Sequence, residues 1–225
     1  LKNKEDLRTL ILKQCKEIAE QGFGASAYPK EYGGENSAGI NTAVFETMAL
    51  GNVSLLVKFG VQFGLFGGAV MQLGTKKHHD KYLKDTGTLD LEGCFAMTET
   101  GHGSNVRDLE TTATYNPDKK TIVVHSPSHE AGKEYIGNAM HATMAAVFAQ
   151  LIVGDTNHGI HAILVPLRNK KHIELPGITV KDNGYKLGLN GVDNGRIWFD
   201  QVEVPIENLL DKYGGVDAEG NYQSP

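Results

Sequence analysis

Apolar positions fall three and four apart at the start of the chain. Leu7, Leu10, Ile11, Cys15 and Ile18 share one side of a helix, with Lys, Glu and Gln between them. Gly22 and Gly24 stop that helix. A loop, Tyr28-Pro29-Lys30-Glu31-Tyr32-Gly33-Gly34, follows, punctuated by Pro29 and the glycine pair. A second helix is predicted over residues 38–50, and a third, nearly all apolar, over about 53–73. Lys58, Gln62, Gln72 and four glycines interrupt that third segment, which favours a buried helix over a membrane span. Thr75 suits an N-cap for a short charged helix through Lys84, with Lys76, Lys77 and Lys81 on its exposed side. His78 and His79 on this helix are expected to face solvent.

The period changes near residue 88, where strand patterns take over. Residues 95–98 form one run, and 110–115 with 121–125 read as a hairpin around Asn116-Pro117-Asp118. Further strands are predicted at 145–153, 161–167, 178–180, 197–199 and 202–204. Many short strands with Gly and Pro turns point to an antiparallel barrel or sandwich. The predicted class is α+β: an N-terminal helical domain (residues 1–88), an antiparallel β-barrel-like middle domain (89–213), and the start of a linker (214–225). There is no internal repeat and no low-complexity tract.

Composition changes this picture little. With 40% hydrophobic and 22% charged residues, the chain reads as an ordinary soluble globular protein. A net charge of −5 argues against nucleic acid or a bilayer surface as partner, since both are polyanionic. Cys15 and Cys94 give neither a disulfide framework nor a thiol zinc motif, so a reducing compartment is expected. Neither Leu1 nor Pro225 reads as a natural terminus, and no signal peptide is visible.

One segment stands out for chemistry: Cys94-Phe95-Ala96-Met97-Thr98-Glu99-Thr100-Gly101-His102-Gly103-Ser104-Asn105. A strand ends in a hydroxyl, and a Gly-x-Gly-Ser turn follows. Such a turn can set backbone N–H groups and hydroxyls around an anion or a flat polar heterocycle, with the glycines allowing close approach. On spacing alone, an ordinary strand and turn is the commoner meaning. Glu99 is better suited to accepting backbone N–H bonds at the turn than to acting as a base. His158-x-x-His161 and His78-His79 have no carboxylate or thiol at a ligand spacing, so no metal is expected.

The 94–105 segment resembles the flavin-binding strand and turn of the acyl-CoA oxidase/dehydrogenase superfamily. Other segments resemble the same family in order along the chain. They are the loop at 28–34, the strand Leu109-Glu110-Thr111-Thr112-Ala113-Thr114-Tyr115, the second flavin segment Lys133-Glu134-Tyr135-Ile136-Gly137-Asn138, and the closing segment Val204-Pro205-Ile206-Glu207-Asn208-Leu209-Leu210. The run Gly188-Leu189-Asn190-Gly191-Val192-Asp193-Asn194-Gly195 resembles the oxidase branch.

This resemblance implies an FAD cofactor, with the backbone of Phe95, Met97 and Thr98 along the isoalloxazine edge and the Thr98 hydroxyl near N5 and O4. It places Gly103 and Ser104 near the pyrophosphate, Ser104 also toward the CoA side, and Tyr135, Ile136 and Gly137 over the other side of the ring. The dehydrogenase branch usually has Trp and Thr or Ser where this chain has Tyr135 and Gly137. Gly137 is therefore expected to leave space through which dioxygen reaches the flavin.

The resemblance further implies oxidation of fatty acyl-CoA to trans-2-enoyl-CoA in β-oxidation. The electrons would pass to dioxygen in an oxidase, which is favoured, or to an electron-transfer flavoprotein in a dehydrogenase. No catalytic residue is expected in this chain, because the family's glutamate base comes from a C-terminal helical domain absent from it. A non-catalytic flavin- or acyl-CoA-binding protein is the alternative. A homodimer or homotetramer, in a peroxisome or a bacterial cytoplasm, completes the expectation.

Overall fold

A computed structural model of the chain describes residues 3–224. Helix α1 (Lys4–Glu20) starts where the Asn3 side chain accepts the Asp6 N–H, and it buries Arg8, Ile11, Cys15 and Ala19. The stripe is the predicted one with a difference: Arg8 lies inside it, paired with Asp182 far along the chain. Helix α2 (Ala38–Ala49) is apolar yet has no fully buried residue. Helix α3 (Val53–Leu73) is capped by Asn52, which accepts from Ser54 and Leu55, and it widens to π geometry over Gly60–Phe66. It is long and apolar enough to cross a membrane, but half of its most apolar stretch is buried within the fold, including Phe59, Phe63 and Phe66.

Helix α4 (76–87) begins at Thr75, and here the structure corrects an expectation. His78 is buried: its Nδ1 accepts the Thr75 N–H at 3.0 Å, and its Nε2 lies 2.9 Å from the Glu207 carbonyl. His79 is half-buried, with Nε2 3.1 Å from the Met71 carbonyl. An imidazole can close a capping box, which takes these rings off the solvent face.

The remaining chain is β-rich: β1 (Gly93–Ala96), β2 (Thr112–Asn116), β3 (Thr121–His125), β4 (Lys133–Ile136), β5 (Met144–Val153), β6 (Thr156–Pro166), β7 (Ile178–Asp182), β8 (Gly195–Phe199) and β9 (Val202–Pro205). Strand β5 is the axis. β6 pairs antiparallel along one edge, while β1 and then β2 lie parallel, end to end, along the other. β3 and β9 extend the sheet beyond β2, and β4-β8-β7 form a second, antiparallel sheet. The result is the expected helical region followed by a curled, half-barrel-like sheet. The parallel pairs are a feature that strand patterns alone do not carry.

Alternation along the strands sorts side chains to two faces. Cys94, Ala96, Ala145, Val147, Ile136, Ile197 and Phe199 fill the space between the sheets. Phe95, Met97, Ala146, Phe148 and Leu164 face the other way, toward Phe66, Val70 and Leu83 of the helices. Residues expected to begin a linker carry a small hairpin, β10 (Gly215–Val216) with β11 (Tyr222–Gln223). Its Tyr222 ring stacks on His158 at 3.9 Å and meets His161 Nε2 at 3.0 Å, so the His-x-x-His pair holds a tyrosine.

Candidate flavin site

The two segments singled out from the sequence lie side by side. Glu134 N–H donates to the Thr98 carbonyl at 3.0 Å, and the Thr98 hydroxyl donates to the Glu134 carbonyl at 2.8 Å. Thr100 N–H donates to Gly132 at 2.9 Å, and Gly101 N–H to Glu130 at 3.0 Å. The turn closes on itself through Glu99 N–H to the His102 carbonyl and His102 N–H to the Glu99 carbonyl, at 2.9 and 3.1 Å. The Thr98 hydroxyl proton is thereby committed to Glu134.

Beneath the turn lies a buried ion pair. Lys133 Nζ stands 3.0 Å from Glu99 Oε1, both side chains closed to solvent. The same Nζ donates to the Met97 carbonyl at 3.0 Å and the Phe148 carbonyl at 2.6 Å. Glu99 also accepts Glu110 N–H, Thr111 N–H and the Thr111 hydroxyl, at 2.8, 2.9 and 2.6 Å. Burial alone would raise the Glu99 carboxyl, but the Lys133 ammonium and these donors hold it below the ordinary range. Burial pushes Lys133 down to about 8, with Glu99 opposing. The structural role expected for Glu99 is thus seen, and it leaves no free face for proton abstraction.

The other predicted residues divide by direction. Phe95 and Met97 are half-buried toward the helices, and Gly103 and Ser104 are exposed on the turn. Tyr135 is 64% exposed and has a left-handed backbone, φ +58°, with its carbonyl held by Asn194 Nδ2 at 2.9 Å. The Ile136 side chain is buried between the sheets. The space expected at Gly137 is not there: a Cβ added to it would sit 2.9 Å from Val61 Cγ2 of α3. Gly137 lets the helix approach, and Val61 fills the room left by the absent side chain.

Sequence reading missed the seam between helices and sheets. Lys58, 2% exposed, donates to Asp193 Oδ1 at 2.7 Å and to Asn138 Oδ1 at 3.3 Å, and lies 3.2 Å from His141 Nδ1. Asn138 Nδ2 reaches back to the Gly93 carbonyl at 3.2 Å. Burial would raise Asp193, but Lys58 and His141 hold it well below the usual carboxylate range. No spacing rule predicts these partners. The only signal was that Asn138 and Asp193 fall within family-like runs.

The residues present suit a flat heterocycle with an anionic tail. Among the described residues, the N–H groups of Thr98, Gly103, Ser104 and Asn105 donate to no protein acceptor. A Cβ at Gly103 would meet nothing within 4 Å, so the turn is open to close approach. His102 Nδ1 is buried without a hydrogen bond, 3.4 Å from Glu99 Oε2. Free donors beside the half-buried apolar edge of Phe95 and Met97 are the chemistry a flavin nucleotide needs.

Comparison with known proteins gives the family. A model of the acyl-CoA dehydrogenase N-terminal domain matches residues 4–89, and one of the acyl-CoA dehydrogenase middle domain matches residues 94–202. The chain is 48% identical over 190 residues to peroxisomal acyl-coenzyme A oxidase 2 of Arabidopsis thaliana, covering 81% of this chain and 28% of that protein. The crystal structure of acyl-CoA oxidase 3 from Yarrowia lipolytica superposes with a TM-score of 0.87 at 35% identity, over 99% of this chain and 31% of that one. Acyl-CoA oxidase-2 of Caenorhabditis elegans, solved with FAD, ascaroside-CoA and ATP, gives 0.70 at 36% identity, over 75% and 25%. The chain therefore spans under a third of the length of each of these three relatives.

Proposed function

The chain belongs to the acyl-CoA dehydrogenase family, of which it carries the N-terminal and middle domains, and from this premise we propose that it is the cofactor-holding part of an FAD-dependent acyl-CoA oxidase. The observation that carries the proposal is the zipping of Thr98 to Glu134, which sets both flavin-like segments on one surface beside unpaired N–H donors. When bound, FAD supplies the hydride acceptor. The backbone of Phe95, Met97 and Thr98 orients the ring edge, Gly103 and Ser104 hold the anionic tail, and Tyr135, Ile136 and Gly137 cover the opposite side. Ser104 also faces the CoA substrate in this reading.

Glu99, spent on Lys133 and three other donors, is not the base that takes the α-proton. That base belongs to a further part of the parent protein. Oxidase is favoured over dehydrogenase because the relatives are acyl-CoA oxidases; Gly137 adds no support of its own, as Val61 fills the space beside it. Their names also favour a peroxisome and lend nothing to a bacterial cytoplasm.

The test is the full-length parent in air with a fatty acyl-CoA. Hydrogen peroxide formed in step with enoyl-CoA, by a protein with a flavin band near about 450 nm, is the expected result. Product formation only with an electron-transfer flavoprotein would make it a dehydrogenase, and no flavin band would remove the reading altogether.

A further inference from the structure

The strand on the flavin side leaves the sheet at a gap, and two charges fill that gap. β1 keeps to the edge of β5 only as far as Ala96 opposite Val147, and β2 takes up the same edge at Gln150. Lys133 stands between. Its ammonium donates to the Met97 carbonyl on the strand that departs and to the Phe148 carbonyl on the strand that stays. Its third donor goes to Glu99, so all three N–H bonds of the ammonium are used. Glu99 in turn accepts the Glu110 and Thr111 N–H groups, where β2 approaches. A neutral pair thus replaces the rungs a continuous strand would have made.

Stability is a poor reason to keep such a pair, since a buried ion pair is often matched by apolar residues of the same volume. Geometry is a better one. We propose that Lys133 and Glu99 are a positioning pair that sets how residues 97–104 leave the sheet, and thereby the affinity and reduction potential of the bound flavin. The proposal rests on the flavin reading above. The carbonyl of Met97 and the N–H of Thr98 belong to one peptide unit. A charge-assisted bond to that carbonyl polarises the unit and strengthens its N–H, which is among the donors left free for a ligand. A stronger donor favours the more electron-rich, reduced flavin.

Lys133→Met alone would leave Glu99 charged and buried, and such a protein risks not folding. The decisive variant is therefore Lys133→Met with Glu99→Gln, made in the full-length parent. FAD is expected to bind about tenfold more weakly or worse, the loss of one or more charge-assisted bonds. The midpoint potential of the bound flavin is expected to fall, and the melting temperature of the FAD-free protein falls as well by what the orphaned Met97 and Phe148 carbonyls cost; the potential is the readout that decides. A merely structural pair would move the melting temperature and not the potential. Affinity and potential equal to the parent's would overturn the proposal. Failure of the double variant to fold would overturn it too, by making the pair a requirement of the fold.

A second measurement separates this idea from the flavin reading. In FAD-free protein, amide hydrogen exchange at Thr100, Gly101 and Glu134, which bond to Gly132, Glu130 and Thr98 and not to the pair, is expected to quicken in the double variant. If the parent binds no FAD, the flavin reading falls, and unchanged exchange at these three amides would sink the positioning pair separately.

Discussion

Among the described residues, two lysines are buried beside a carboxylate, and they are used differently. Lys58 reaches from α3 to Asp193, Asn138 and His141, all side chains of the β-rich part. Lys133 spends two of its three donors on main-chain carbonyls, and its partner Glu99 accepts two main-chain N–H groups. The first pair sews one layer to another. The second is written into the path of the backbone. A side-chain seam can lose a stitch and let water in, all the more because His141 at its edge is 23% exposed. A backbone junction has no such relief, since its orphaned groups lie where solvent does not reach.

The largest expected effect follows from that contrast. Glu99→Ala leaves the Lys133 charge unpaired and two backbone N–H groups without an acceptor, and urea unfolding should register a loss of about 4 kcal/mol or more. Asp193→Ala orphans one backbone N–H, that of His141, against two at Glu99, and leaves Lys58 with Asn138 and His141 in reach, so a loss of about 3 kcal/mol is expected by the same measurement. Equal losses would erase the distinction between seam and junction.

Acid separates the two more finely. Both carboxylates lie lower in the folded chain than their ordinary values of 4.5 for Glu99 and 3.8 for Asp193. The unfolded chain therefore takes up these protons first as pH falls. Their stabilisation is complete above about pH 5 and is lost progressively below it. The melting temperature should drop from pH 5 to pH 3, and Glu99→Gln and Asp193→Asn should each flatten part of that drop. The smallest effect concerns the seam one turn away. Gly137→Ala presses on Val61 and should cost about 1–2 kcal/mol. Val61→Ala in the same chain should return most of it, and additive losses would show that the two do not touch.

Much of this was legible beforehand where a local rule sufficed. The cap at Thr75, the stripe of α1 and the strands at β3 and β8 follow from period and turn chemistry. Glu99 could be read as an acceptor because a carboxylate at a Gly-rich turn has backbone donors nearby. β4 was not read as a strand from its pattern, because Lys133-Glu134-Tyr135-Ile136 shows no simple alternation: the lysine points inward and the tyrosine outward. The burial of Lys133 depends on Glu99, distant in sequence, and on a gap that exists only once β1, β2 and β5 are aligned. His78 was misplaced for a similar reason, since its second partner, the Glu207 carbonyl, comes from the far end of the chain. Gly137 was read as empty space because a sequence names the missing side chain, not the neighbour that takes its place.

The end-to-end placement of β1 and β2 on β5 also has a consequence in time. β1 finds its partner about fifty residues later, at Met144–Val147, and β2 needs the residues just beyond. β2 can already pair with β3 in a hairpin, but β1 cannot be fixed while β5 is still inside the ribosome, so the nascent chain carries β1 unpaired through most of the synthesis of this region. Closing so long a loop is slow, and an unpaired edge is prone to the wrong partner. The helices precede β5 in the chain and leave the ribosome first. They offer the apolar surface of Phe66, Val70 and Leu83 against which that late strand can settle.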